Sequence, residues 1–286
     1  MEQRISPRAH RMALWVGGPV MSVVYMFGWL AYARLMPVPS PSWSAERLSE
    51  WLVDRQPEFQ IGCLIMIAAA GTWGLWCAAM SVWTYRTEQR FPVLFAGQVI
   101  SVGCGLTIFV LDELFWTVAS FRAGETDPAV TQAIWDIGWF GFLFSITAYI
   151  SWAVCFALGI LWNPPEHQMF PRWAGYMTLA SCLCWSLGLM IVFFKSGPFS
   201  YNGTLAMWLP LAEFFVWLIF MTYLGLKAIS KQEVLCRQEA EQYGAGYGVY
   251  YPGDDERALD EEDRLRAAIP DEVPIPATSG ASRQAD

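Results

Sequence analysis

Polar residues give way six times along this chain to long, nearly unbroken apolar sequence. The runs lie at about 12–34, 60–84, 92–118, 133–162, 172–195 and 205–228. About 20 apolar residues in a helix cross the hydrocarbon core of a bilayer, so each run predicts one transmembrane helix. Gly17-Gly18-Pro19 inside the first run predicts a kink. A signal peptide is the competing reading of that run, because Arg4, Arg8 and Arg11 precede it and Ala31-Tyr32-Ala33 resembles a cleavage site. Apolar regions of signal peptides span about 7–15 residues, and this run is longer, which favours a retained helix.

The polar intervals add organisation. Between the first two runs, Leu48, Trp51 and Leu52 share one helical face and Ser44 stands in front of it. This predicts a short amphipathic helix that lies on the outer interface or caps the bundle. Basic residues near span ends decide orientation. With the N-terminus inside, cytoplasmic segments carry Arg4, Arg8, Arg11, Arg86, Arg90, Arg172, Lys227, Lys231 and Arg237. Outer segments carry Arg34, Arg47, Arg55, Arg122 and Lys195, so the count of nine against five predicts both termini inside. Three parts result: a cytoplasmic N-terminus (1–11), a six-helix membrane domain (12–231) and an acidic, largely disordered cytoplasmic tail (232–286).

Composition agrees with lipid. The chain is 55% hydrophobic and only 15% charged, against about 45–50% and about 25% in soluble domains. Most of the net charge of −8 comes from the tail. No basic stripe suits nucleic acid. His10 and His167 are the only histidines and no C-x-x-C pair occurs, so no cofactor or metal is expected, and the cysteines read as small packing residues.

Shifting the chain by 79 residues aligns 62–92 with 141–171 at ten of thirty-one positions, including Trp73 with Trp152 and Trp83 with Trp162. The loop pattern W-x5-Q-x-F-P recurs in both. The expected fold is therefore an all-α, six-span transmembrane helix bundle with a parallel tandem hairpin repeat, spans 2–3 and 4–5. Phe91-Pro92 and Phe170-Pro171 read as helix starts, and Trp83 and Trp162 as an interfacial aromatic belt.

Ionisable groups inside spans are costly and mark functional sites by default. The candidates are Asp112 and Glu113 late in the third span, Asp136 early in the fourth, Lys195 ending the fifth and Glu213 in the sixth. All lie in the outer half under the orientation above. Snorkelling to the headgroups is the plainer reading for Asp112, Glu113, Asp136 and Lys195. Adjacent Asp112 and Glu113 point about 100° apart on a helix and make a poor catalytic pair. Glu213 lies deeper, about 12 Å along its helix, and needs a partner; Lys195 and Glu213 flank one turn and can serve a shared polar vestibule with Asp136, Asn202 and Asp112.

The segments PSPSWSAERL, LFWTVASFRAG, WDIGWF, MFPRWAGY and FFKSGPFSYNGTLAMWLP resemble those of a family of uncharacterised six-helix integral membrane proteins of actinobacteria and some proteobacteria. The resemblance spans about residues 10–230. It implies a bacterial inner-membrane protein with both termini cytoplasmic and gives Asp136, Lys195 and Asn202 added interest. The Asp112-Glu113 pair departs from the family's less charged sequence. No activity is attached to the family.

Two functions are expected on these grounds. One is binding or transport of a small hydrophobic or amphipathic molecule through an outer-half vestibule. The other is a non-catalytic accessory or scaffold subunit with a membrane-protein partner. No P-loop, G-x-S-x-G or H-E-x-x-H motif supports an enzyme. Lys195, at a span end, does not suit a retinal protein. The lipid bilayer is an expected partner in either case, and nucleic acid is not.

Overall fold

The computed structural model describes residues 7–88, 91–163 and 168–243, with side chains through Val234. Among the described residues every regular element is helical. Six helices are long and apolar enough to cross a membrane. These are α1 (Pro7–Tyr32), α3 (Gln56–Glu88), α4 (Val93–Phe121), α5 (Pro128–Trp162), α6 (Arg172–Phe193) and α7 (Thr204–Val234). The short α2 (Ala45–Val53) joins α1 to α3. The last helix continues to Tyr243, so the first part of the expected tail, residues 232–243, is helix. The remainder of that tail, and His167, lie outside the described residues.

Local chemistry explains the breaks and ends. Pro19 has no N–H to close an ordinary turn, and α1 widens into a π turn at Val16–Val20. A Cβ at Gly17 would lie 2.4 Å from the backbone nitrogen of Trp76, so the two helices touch backbone to backbone. Ser44 caps α2, accepting from Arg47 N–H at 3.3 Å. Leu48 and Leu52 are buried and Trp51 meets Phe59 and Trp135, so α2 closes one end of the bundle. The Glu88 carboxylate accepts from the first free amides of α4, Leu94 and Phe95, at 2.7 Å each. Pro92 and Pro171 stand one residue ahead of their helices, as N-caps. Asp127 caps α5 through Ala129 N–H at 2.8 Å.

Successive spans pack on one another, and α7 closes the ring against α1. Lipid tails are as apolar as leucine, so packing and interhelical hydrogen bonds hold such a bundle. Indole groups fill the interior: Trp29, Trp76, Trp116, Trp135, Trp139 and Trp217 are almost fully buried. Three indole N–H groups donate across helices, Trp76 to Thr222 (2.9 Å), Trp152 to Ser81 (2.9 Å) and Trp217 to Thr178 (3.0 Å).

Trp83 does not belong to an interfacial belt. It is buried, stacked on His10 at 5.5 Å, and His10 itself bonds the Ala79 carbonyl. Its counterpart in the sequence match, Trp162, is 67% exposed. The chain breaks in α3 and α5, at Gly71-Thr72 and at Ser145, are also out of register. The tandem repeat therefore remains a sequence pattern that the tertiary structure does not confirm.

Candidate functional site

Helix α4 is the least buried span, only 11% of its most apolar stretch being buried. Yet Asp112 and Glu113 are both 0% exposed. They do not snorkel, because each carboxyl lies about 12 Å or more from the helix end and has space provided inside the protein. Gly141 of α5 supplies that space for Asp112; a Cβ there would stand 3.1 Å from the Asp112 Cβ. Asp112 Oδ1 accepts from Glu113 N–H at 3.0 Å. Asp112 Oδ2 and both Glu113 oxygens have no hydrogen-bond partner. The Tyr25 hydroxyl of α1 approaches Glu113 without the geometry of a full hydrogen bond.

The two carboxyls face different surroundings, as their 100° separation on a helix requires. Asp112 lies in the wall of a groove of about 450 Å³ between α4 and α5, its carboxyl buried behind the surface. Ile108, Leu111, Phe115, Ile137 and Phe140 line it, and Asp136 is its other carboxylate. Glu113 points toward Tyr25, whose ring borders a separate cavity of about 130 Å³ in the centre of the bundle. All six spans contribute to this cavity, among them Trp73, Phe109, Tyr149, Trp185 and Phe214. Small-molecule sites generally occupy about 300–1,000 Å³; the groove reaches that range and the central cavity does not.

Asp136 sits half-buried beneath the α6–α7 connection. Tyr201 from that connection stacks on Trp139 at 5.1 Å with the rings nearly parallel. This brings its hydroxyl to Asp136. Burial, and then the Asp136 carboxylate, push the Tyr201 phenol above its ordinary range. Lys195 is exposed and within electrostatic reach of Asp136. Asn202 serves the turn itself: its side-chain oxygen accepts from Ser200 Oγ at 2.7 Å and its carbonyl from the Trp208 indole at 3.2 Å.

Glu213 goes elsewhere. Ser181 of α6 donates to its Oε1 at 2.5 Å, and its Oε2 is buried without a partner. Cys182 and Cys184 are its other polar neighbours. The expected single vestibule thus divides in two. Asp112, Asp136 and Lys195 belong to one side, and Glu213 belongs to the α6–α7 contact. Sequence reasoning missed Tyr25, Ser181 and Tyr201 as neighbours of these acids, and nothing in their local sequence marks them.

Among the described residues no group of three metal-ligating side chains could hold an ion. The groove is an apolar trough with two acids in its lining, each with an unpaired oxygen buried just behind the groove surface. Comparison with family models, curated proteins and solved structures gives no match.

Proposed function

We propose that this membrane protein binds an amphipathic small molecule, drawn laterally from the bilayer, in the groove between α4 and α5. One observation carries the reading: an apolar groove of about 450 Å³ ends on two carboxylates, each with a buried oxygen that has no hydrogen-bond partner. A buried acceptor left unpaired is costly, and a ligand whose polar end brings a hydrogen-bond donor or a positive charge offsets that cost. The apolar lining takes the ligand's tail, while Tyr201 and Lys195 border the Asp136 end. With both termini cytoplasmic, as the basic residues indicate, this end faces outward and the groove opens to the outer leaflet of the plasma membrane.

The test uses the full chain in phosphatidylcholine nanodiscs with a photoactivatable dodecanol analogue. Saturable labelling should concentrate on residues 108–115 and 137–144, fall on adding dodecanol, and weaken in Ile108→Trp, which fills the groove. Labelling spread evenly over all the lipid-facing helices, and insensitive to competitor, would refute the proposal.

A further inference from the structure

We infer that the preferred occupant of this groove is a lipophilic cation, which enters in exchange for a proton held by the Asp112–Glu113 pair. The inference rests on the groove reading and adds the ligand's charge class and its coupling. Two adjacent carboxyls are completely buried, and three of their four oxygens have no hydrogen-bond partner. One of these, Asp112 Oδ2, belongs to a side chain that lines the groove.

The groups facing the pair cannot neutralise it. Around it stand Tyr25 from α1, Cys63 from α3, Tyr149 from α5 and Thr117 one turn along α4, and Asp136 lines the same groove as Asp112. None is a cation. The ion pairs Arg11–Glu233, Arg34–Glu58 and Arg122–Glu125 lie elsewhere. Lys195 neighbours Asp136, the groove's other acid, and not the pair itself. An uncompensated carboxylate in such surroundings gives up its charge by taking a proton.

A cation arriving through the groove changes that balance. Its positive charge stands at the groove wall behind which Asp112 Oδ2 is buried, the Asp112 carboxyl ionises, and one proton passes to bulk water. Charge is conserved: one cation enters and one proton leaves. The phenyl rings of Phe115 and Phe140 in the lining favour a cation further. By linkage, releasing one proton on binding makes affinity rise about tenfold per pH unit while the carboxyl is protonated in the free protein.

The test is calorimetric titration of the full chain in nanodiscs with dodecyltrimethylammonium, below its micelle-forming concentration. Its charge is permanent, so every proton counted comes from the protein. Heats in two buffers of different ionisation enthalpy should report about one proton released per cation, and affinity should rise with pH. Asp112→Asn, nearly isosteric, should lose both the release and the pH dependence. Cation binding without proton release, or unchanged by Asp112→Asn, overturns the exchange. Groove labelling by the alcohol probe without preference for the cation overturns this inference alone; failure of both ligands overturns the groove reading as well.

Discussion

Replacing Gly138 by alanine tests the contact on which the groove depends. A Cβ at this position of α5 would lie 2.5 Å from Cδ1 and Nε1 of Trp116 and 3.0 Å from the Asp112 carbonyl oxygen. Carbon contacts settle at about 3.5–4.0 Å, so about 1 Å of room must be found. The indole cannot swing away: Trp116 is fully buried, with Trp139 at 4.7 Å and Trp135 at 6.1 Å between ring centroids. The helices must separate instead. Overpacking of this kind costs about 1–3 kcal/mol. At about 2–4 °C per kcal/mol for a chain of this size, the melting midpoint falls by on the order of 2–12 °C. Gly103→Ala is the control, because a Cβ there meets nothing within 4 Å and alanine is the better helix former by about 1 kcal/mol. Thermal unfolding of both variants in one detergent, read by size-exclusion chromatography after heating, makes the comparison. Equal midpoints would show that α4 and α5 are not in this contact, and the shape of the groove would lose its basis.

Two further predictions follow from the same physics. Ser181→Ala removes the donor to Glu213 Oε1, whose companion Oε2 is already without a partner; it should lower stability by about 1–3 kcal/mol. Adding Glu213→Gln should recover part of that loss, and an unaffected Ser181→Ala protein would rule out a stabilising contact. For orientation, a cysteine placed at Asn202 in a cysteine-free chain should label from outside intact cells, while one at Gln168 should label only after permeabilisation; the reverse pattern would invert the topology.

The six spans were legible in the sequence because crossing a bilayer is a one-dimensional requirement: enough consecutive apolar residues, whatever they later touch. Ser44 as a cap and Gly17-Gly18-Pro19 as a break were legible for a similar reason, since each acts within one or two turns of its own backbone. The site was not legible in this way. Whether Asp112 meets headgroups or a neighbouring helix depends on how α4 is rotated, and that rotation is set by the space at Gly141, on another helix. Burial of Trp83 likewise depends on α1 laying His10 across it. Lys195 and Glu213 are close in sequence, yet their neighbours are Asp136 and Ser181, on α5 and α6. Apolar length is a property of a segment, and sequence alone determined it. Which acid faces which partner is a property of helix packing, and only the closed ring of six spans decided it.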